Sequence, residues 1–579
     1  MTGLGRARRL GLISGAAMSF VGGIGMVVAF NDRTLVDPFL RMGDLTLYGI
    51  PVVLGWMAAG GEPGPLRKLV RESRGGVARA VMVGLIGGLA ASAFVSVVSA
   101  VDLTEFFPSM RDDMTWAMTF GIGMPMGPLA LTAASGAAAW LGGYLRGRSV
   151  AVRRGLASST GWVLAFALFQ VVVADILSFA DPVLDALYAP LGGLRLWSAV
   201  VVGALAWLLS SRLEGRAKAL ADQIREAEPR SRLRRSAIGV GALAVIILPM
   251  LLGGILNELL VNVSLFILMG LGLNIVVGLA GLLDLGYVAF FAVGAYGTAV
   301  LTSPLNETFA PSLNWWAALP IVMALAAIAG LMVGTPVIRM RGDYLAIVTL
   351  GFGEIVRILL LSDWLTPVFG GAQGIRRIPG VPAPLFGDIG GTDPHLFVYF
   401  TFLFVGIAAY VSHRVQGSRV GRSWAAMRED EDVAEATGVS TVQAKLLAFV
   451  TGAVVASFAG ALFSAKVGTV FTNSFDVLVS IIILVVVIVG GMGSIPGVMV
   501  GALVLIGFLG GPKSPGLLQE LAQFKLLIYG ALLVFMMLRR PEGLVPSVRR
   551  TRELHADELT QDAWLDKSGD FTGEPETAP

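Results

Sequence analysis

The 579-residue sequence contains no cysteine and only three histidines. The lack of cysteine excludes disulfides and thiolate metal sites, and the scattered positions of His395, His413 and His555 argue against a histidine metal site. Charged residues make up only 14% of the chain, whereas soluble proteins carry about 25%. Because 55% of the residues are hydrophobic and the mean hydropathy is +0.76, the lipid bilayer must be the solvent for most of the chain.

Motifs of the common enzyme classes are missing as well. The dipeptide Gly-Lys does not occur, so the chain has no G-x-x-x-x-G-K-[ST] loop to hold nucleotide phosphates. The patterns G-x-S-x-G and H-E-x-x-H are also absent. We therefore predict a protein that is not an enzyme, uses no cofactor, metal or nucleic acid, and takes any energy of ATP from another polypeptide.

What the chain does contain is a series of apolar runs long enough, at about 17–25 residues, to cross a bilayer as helices. They predict an all-α polytopic membrane protein with about 16 transmembrane helices. The short, glycine- and proline-interrupted stretch 474–511 predicts either full crossings or re-entrant segments. The predicted spans are 10–30, 44–60, 77–101, 118–145, 160–180, 195–211, 236–256, 258–281, 283–303, 315–338, 342–362, 395–412, 441–463, 474–490, 497–511 and 521–538.

Lysine and arginine concentrate in alternate loops, which orients both termini to the cytoplasm by the positive-inside rule. A basic stretch, 212–235, divides the chain into a six-span region at 1–211 and a ten-span region at 236–540. It fits a helix lying on the anionic cytoplasmic leaflet or an ordinary basic loop. The acidic tail 541–579 has the composition of a disordered segment.

Two apolar runs carry ionisable and aromatic residues that are candidates for a transport pathway. The first reads GLAGLLDLGYVAFFAVGAYGTAVL and the second MRGDYLAIVTLGFGEIVRILLL. Ionisable groups within a membrane usually face a polar interior, although an interfacial role for the acid and a neutralised pair near the outer interface remain open. The candidates are Asp284, Tyr287, Phe291, Tyr296, Asp343, Tyr344, Glu354 and Arg357.

A glycine turn, Gly490–Gly497, separates two short apolar runs and reads GGMGSIPG. Four glycines and a proline in eight residues cannot continue a helix comfortably. The sequence therefore predicts a tight, close-packed turn built on Gly490, Gly491, Gly493, Pro496 and Gly497.

One polar segment, Gly417–Gln443, is flanked by two apolar runs and reads GSRVGRSWAAMREDEDVAEATGVSTVQ. We expect a single helix over Ser423–Gly438 whose apolar patch comprises Trp424, Met427, Val433 and Ala434. Lipid is one candidate partner for this patch, but an anionic leaflet would repel so acidic a helix. A soluble protein on the cytoplasmic side is the better interpretation.

Together, the two pathway runs, the polar segment and the glycine turn, in this order over about 236–540, resemble the M-type permease subunit of branched-chain amino acid ABC importers. The resemblance implies a second, H-type permease subunit, two cytoplasmic ATP-binding subunits and an extracytoplasmic substrate-binding protein. It also implies that Gly421–Ser440 is a coupling helix seated on an ATPase subunit. The residues assigned to coupling are Trp424, Met427, Arg428, Glu431, Val433, Glu435, Ala436 and Gly438.

The functional expectation is a bacterial cell-membrane permease that moves branched-chain or related amino acids by alternating access. The binding protein would dock on the loop 363–394, which carries Arg376 and Arg377. Two alternatives stay open: a permease for urea or short-chain amides, and, in a different class, an ion-coupled secondary transporter. Residues 1–211 exceed the region of resemblance, and their role stays open.

Overall fold

The computed structural model describes residues 3–60, 73–101, 103–177, 180–190, 192–210, 247–305, 311–338, 340, 342–383, 387–512, 514 and 516–547. The chain divides into two compact units, Met1–Leu243 and Ala244–Pro579. The predicted basic linker 212–235, the span 236–256 up to residue 246 and the tail from residue 548 onwards lie outside the described residues.

The first unit contains ten described helices and one small sheet. Strand β1 (Thr34–Asp37) pairs antiparallel with β2 (Leu40–Arg41) and parallel with β3 (Leu194–Arg195). Helices α1, α3, α4 and α6 pack against one another as its centre. The helices are α1 (Gly3–Gly23), α2 (Met26–Asn31), α3 (Met42–Ala59), α4 (Ser73–Ala100), α5 (Asp112–Met118), α6 (Met126–Arg146), α7 (Val150–Leu168), α8 (Gln170–Ile176), α9 (Asp181–Leu187) and α10 (Leu196–Ser210).

Two of the spans predicted in this unit are broken. In the region of the predicted span 10–30, the helix α1 begins earlier, at Gly3. The helical run then breaks before α2 at Gly25, whose φ is 77°. The predicted span 160–180 is a bent pair, α7 and α8, with an angle of 74° between them. Apolar composition indicated membrane helices at both places, but it does not encode where a helix breaks.

The second unit is the one that carries every candidate site residue. Its helices are α11 (Gly254–Leu273), α12 (Val288–Thr302), α13 (Trp315–Val337), α14 (Asp343–Leu361), α15 (Thr366–Phe369), α16 (Pro394–Gln416), α17 (Arg419–Glu429), α18 (Glu431–Ala436), α19 (Thr441–Val467), α20 (Val477–Gly490), α21 (Ile495–Leu509) and α22 (Lys525–Arg539). A π-helix, Asn274–Leu279, continues α11, and 3-10 turns cover Gly371–Gln373, Thr472–Phe475 and Gln519–Gln523. Strands β4 (Val381–Ala383) and β5 (Gly387–Ile389) form an antiparallel hairpin.

Helices α11 and α19 run through the middle of this unit and contact each other. Small residues on α19 let its neighbours approach closely: a Cβ on Gly460 would lie 2.2 Å from the Phe291 carbonyl oxygen of α12. On the facing helix, a Cβ on Gly294 would lie 2.0 Å from the Ser457 carbonyl oxygen. Backbone therefore packs on backbone along α12 and α19.

The predicted class, a helical polytopic membrane protein, is confirmed, with the two short strand sets as the departure from an all-α fold. Within the described residues, eight helical segments are long and apolar enough to cross a membrane, or nine if α7 and α8 form one span. The count of about 16 stays a prediction. The eight are Met42–Ala59, Gly75–Ala100, Gly254–Leu279, Trp315–Pro336, Tyr344–Leu361, Pro394–Gln416, Thr441–Val467 and Thr472–Gly490.

Candidate functional site

The polar segment Gly417–Gln443 is two helices, so the prediction of one continuous helix over Ser423–Gly438 is wrong. The Ser418 hydroxyl caps α17 by accepting from the Gly421 N–H at 3.3 Å. At Asp430 the backbone becomes extended (φ −155°, ψ 117°), and its Oδ1 accepts from the N–H groups of Asp432 at 2.9 Å and Val433 at 3.0 Å. Aspartate is a strong helix N-cap, so the same residue ends α17 and starts α18.

The predicted apolar patch is divided between the interior and the surface. Trp424 is fully buried, and its indole N–H donates to the Ala444 carbonyl of α19 at 2.8 Å. Met427 and Ala434 are buried too, whereas Val433 is 58% exposed. The expectation that Trp424 and Met427 contact a partner is therefore corrected. An amphipathic pattern shows which side chains are buried, but here the chain's own helices bury them.

Exposed residues occur on both helices of the polar segment, and the longest exposed run, 435–438, covers the end of α18 and the residues just after it. Glu435, Ala436 and Gly438 are exposed alongside Val433. Gly438 has a φ of 91°, the left-handed conformation that favours glycine after a helix end, and a Cβ there would meet nothing within 4 Å. These four residues form the outer face of α18, which is available to a second protein.

Two cationic side chains attach the polar segment to the membrane helices. The Glu431 carboxylate lies 2.6 Å from the Lys445 ammonium, and Lys445 is 1% exposed. Arg428 reaches in the other direction and donates from Nη1 to the Gly278 carbonyl at 2.6 Å. Since Gly278 lies 150 positions away in the π-helix after α11, Arg428 joins two motifs that lie far apart in the sequence.

The glycine turn Gly490–Gly497 joins α20 and α21, at the place where the sequence predicted a tight turn. The two helices touch through backbone, since a Cβ on Gly490 would lie 2.3 Å from the Gly497 oxygen. Gly491 and Gly493 have φ values of 127° and 77°, and Pro496 stands in the first turn of α21. With 15 residues, about 22 Å, α21 is shorter than the roughly 30 Å hydrocarbon core, whereas α20 together with the preceding 3-10 turn reaches 19 residues, Thr472–Gly490.

The glycine turn meets the π-helix and the polar segment at one place. The Gly493 N–H donates to Asn274 Oδ1 at 2.8 Å, and Gln416 Nε2 donates to the Gly493 carbonyl at 3.2 Å. Arg428 holds the Gly278 carbonyl in the same cluster. The ends of α11 and α16 and the turn after α20 are therefore hydrogen-bonded to one another, and α17 joins this cluster through Arg428.

Asp284 and the aromatic residues of α12 form a buried packing layer. Asp284 is 1% exposed, and its Oδ1 accepts from the Gly286 N–H at 2.9 Å. The hydroxyl of Tyr287 donates to the Gly452 carbonyl at 3.0 Å, and that of Tyr296 meets Thr472 Oγ1 at 2.9 Å. Three of the four residues predicted to line a pathway in this run are thus hydrogen-bonded inside the unit.

Phe291, the fourth of those residues, borders a cavity of about 300 Å³ that the sequence analysis missed. Lys466 reaches this cavity from the last turn of α19; its Nζ donates to Asn262 Oδ1 at 2.7 Å and lies 3.7 Å from Glu258 Oε1. The only signal in the sequence was a charged residue near one end of each of two apolar runs. We call this space the Lys466 cavity. Its lining is Glu258, Asn262, Leu265, Phe266, Met269, Phe291, Phe463, Lys466, Val467, Ser474, Val479, Pro512 and Ser514.

The second pathway run, α14, places the predicted pathway residues Tyr344, Glu354 and Arg357 on the outside of the unit, whereas its Thr349 is buried. Tyr344 is 75% exposed. Glu354 and Arg357 are partly exposed and form a two-pronged ion pair, with Arg357 Nε 2.9 Å and 3.0 Å from the two carboxylate oxygens. The side chain of Asp343, the first residue of α14, lies outside the described part of the structure.

A wide surface cavity of about 600 Å³ lies at the loop that follows α14. Its lining includes Asp363, Thr366, Gln373 and Arg376, which belong to the predicted docking loop 363–394.

Among the described residues, no three carboxylate or histidine side chains come together as they would around a metal ion.

Known proteins resemble the second unit. Residues 255–537 match the family described as branched-chain amino acid transport system / permease component. The high-affinity branched-chain amino acid transport system permease protein LivM of Escherichia coli is 41% identical over 304 residues, covering 49% of this chain and 68% of LivM. The probable branched-chain amino acid transport permease protein LivM of Methanocaldococcus jannaschii is 27% identical over 304 residues, covering 48% of this chain and 84% of that protein.

A more distant similarity links the chain to the permease protein LivH of the Escherichia coli high-affinity branched-chain amino acid transport system. That similarity is 33% identity over 131 residues, which cover 23% of this chain and 41% of LivH. No solved structure gives a significant match. The family resemblance drawn from the four sequence motifs is thus confirmed, and the chain belongs to the family of branched-chain amino acid transport system permease components.

Proposed function

We propose that the protein is the membrane-spanning permease subunit of an ATP-driven importer that moves branched-chain amino acids by alternating access. The observation that carries this proposal is the contact between Arg428 and Gly278, which ties the polar segment to the ends of the transport helices. Transport is assigned to residues 236–540, with the linker 212–235, the tail 541–579 and the region 1–211 as additions whose roles stay open.

The outer face of α18 is the proposed seat of a cytoplasmic ATP-binding subunit. Val433, Glu435, Ala436 and Gly438 are exposed there, while Trp424 on α17 is buried behind them. A push on this face is transmitted through buried contacts, because the Trp424 ring and the Glu431 carboxylate both contact α19. With an ATP-binding subunit at this face, the polar segment lies on the cytoplasmic side of the bacterial cell membrane. The distribution of lysine and arginine along the chain supports both termini on that same side.

The exposed side of α14 is the proposed contact for a second, H-type permease subunit. Tyr344, Ile347, Gly351, Glu354 and Ile358 follow one another at intervals of three and four residues, the spacing of a helix-packing seam. Glu354 is paired with Arg357, yet the cost of taking both charges out of water can exceed their mutual attraction. A protein or water-lined partner face therefore suits the Glu354 position better than lipid.

The loop after α14 is the proposed landing site of an extracytoplasmic substrate-binding protein. It lies at the C-terminal end of α14, the end opposite to Tyr344, and it borders the surface cavity of about 600 Å³. Arg376 lines this cavity, and Arg377 follows it with a φ of 53°. In this arrangement the binding protein performs most of the cargo selection.

The experiment that tests the coupling assignment replaces Gly438 by arginine in the importer reconstituted with its partner subunits. Gly438→Arg puts a bulky cation on the outer face of α18, so we expect leucine uptake to fall at least about tenfold while the permease still inserts. Gly192→Arg is the matched control, because Gly192 also has a positive φ (93°), lies outside the proposed interfaces, and a Cβ there would meet no atom closer than 3.7 Å. Unchanged uptake and ATP hydrolysis in Gly438→Arg would refute the assignment.

A further inference from the structure

The Lys466 cavity and the polar segment lie at opposite ends of the same two helices. Glu258 is in the second turn of α11, and Lys466 is in the last turn of α19. The other end of α11 leads to Gly278, and the other end of α19 carries Ala444, which are the two acceptors held by the polar segment. Ala444 and Lys466 are 22 residues apart on α19, which separates the two sites by about 33 Å.

The ion pair in this cavity is longer than a direct hydrogen bond, and its carboxylate is exposed. Lys466 Nζ lies 3.7 Å from Glu258 Oε1, whereas directly hydrogen-bonded charged groups lie about 2.7–2.9 Å apart. The Lys466 side chain is 11% exposed and is held by Asn262, while the Glu258 side chain is 63% exposed. The site therefore presents a fixed cation next to an accessible carboxylate.

The remainder of the wall is apolar. Phe291 and Phe463 have ring centroids 5.3 Å apart, and both line the cavity together with Leu265 and Met269. A volume of about 300 Å³ is at the lower end of the range for small-molecule sites, about 300–1,000 Å³. The cavity suits a small ligand that is charged at one end and aliphatic at the other.

Building on the proposed function, we propose that the Lys466 cavity is a binding site in the permease for the free amino acid itself. An α-amino acid carries its carboxylate and its ammonium on one carbon, which matches the neighbouring charges of Lys466 and Glu258. Lys466 binds the carboxylate, Glu258 binds the ammonium, and the Phe291 side of the cavity receives the branched side chain. Urea and short amides have neither the two charges nor the aliphatic chain, so the site disfavours the alternative cargo.

The test measures ligand binding to the full-length chain in nanodiscs of phosphatidylcholine alone, so that no ethanolamine headgroup competes for the pair. Saturation-transfer NMR compares leucine with 3-methylbutylamine, which lacks the carboxylate, and with 4-methylpentanoate, which lacks the ammonium. We expect the wild-type chain to bind leucine at least about tenfold more tightly than either analogue, because each removes a hydrogen bond between charged groups.

Two variants assign the charges. Lys466→Met should bind leucine no more tightly than 3-methylbutylamine, because the cation for the carboxylate is gone. Glu258→Gln should bind leucine no more tightly than 4-methylpentanoate, because the anion for the ammonium is gone. Asp113→Asn is the charge-matched control, since Asp113 is exposed on α5 and does not line the cavity. A purely structural role for Lys466 predicts instead an equal loss for all three ligands, and that result would overturn the site. If Lys466→Met does not insert into the membrane, the Glu258→Gln variant still tests the site, because the Glu258 side chain is exposed.

Leucine uptake by cells that produce the chain with its partner proteins separates this inference from the function on which it rests. If Glu258→Gln and Lys466→Met take up leucine as the wild type does and bind it equally well, the Lys466 cavity is not the binding site, while the proposed function stands. Cells that accumulate urea or acetamide but no leucine overturn the proposed function and the site together. Unchanged uptake by wild type and Asp113→Asn, with a rise of about tenfold in the half-saturating leucine concentration for the cavity variants, supports both the function and the site.

Discussion

Removing the Trp424 side chain should detach the polar segment from the membrane helices. The indole ring is fully buried and donates to the Ala444 carbonyl at 2.8 Å. Truncation of a buried tryptophan costs about 3–5 kcal/mol, because the lost contacts leave a cavity. If that free energy is lost mainly from the local docking of α17, the undocked population rises by about two to four powers of ten.

A milder substitution separates ring packing from the hydrogen bond. Trp424→Phe keeps an aromatic ring but removes the indole N–H, and a single hydrogen bond contributes about 0.5–1.5 kcal/mol net. In Trp424→Phe, the population of chains with an undocked α17 should then rise by no more than about tenfold. Trp424→Ala and Trp424→Phe thus differ by a margin that an exchange experiment resolves.

The assay is hydrogen–deuterium exchange of the purified chain, read on peptides from residues 419–436 against peptides from α11 as an internal reference. We expect faster exchange in α17 and α18 in Trp424→Ala and little change in α11. Trp364→Ala is the matched control, since Trp364 is 80% exposed. Protection of residues 419–436 that is the same in Trp424→Ala as in the wild type would refute the anchoring argument.

Two further changes test the contacts at the ends of the helices. Gly278→Ala should lower the melting temperature and loosen the glycine turn, because the new Cβ would lie 2.1 Å from Asn274 Oδ1. The control Gly254→Ala, which has open space around it, should leave the melting temperature unchanged. Equal melting temperatures of the two variants would contradict this prediction. Glu431→Gln should lower the free energy of unfolding by about 3 kcal/mol or less, since it leaves the buried Lys445 without its carboxylate. Adding Lys445→Met should restore part of that loss, as measured by denaturant unfolding. No recovery in the double variant would argue against the pair.

The sequence predicted local features well where a single stretch of chain determines them. The glycine turn was predictable because Gly491 and Gly493 need positive φ values and Pro496 cannot continue a helix. The polar character of Gly417–Gln443 was equally direct. The break at Asp430 was not, since an aspartate between two helical stretches serves as a solvated helix residue or as an N-cap depending on backbone geometry.

Long-range contacts account for most of what the sequence did not predict. The apolar side of α17 was evident, but the same pattern is expected whether Trp424 packs on a partner or on its own chain. Arg428 and Gly278 are 150 positions apart, and Lys466 and Asn262 are 204 apart. No spacing rule connects such residues, because their meeting depends on how α11 and α19 pack in three dimensions.

The π-helix at the end of α11 limits the kind of change that evolution or engineering can make there. Its wider turn holds one more residue than an α-helical turn, and it positions the Gly278 carbonyl toward Arg428 and the Asn274 amide toward the glycine turn. Loss of one residue from Asn274–Leu279 would restore the α-helical register and rotate whatever follows by about 100° about the helix axis. Replacement of an apolar side chain in the same stretch leaves that rotation unaltered. The length of this turn is therefore more strictly constrained than its composition, and alignments of related chains should show substitutions there but no gaps.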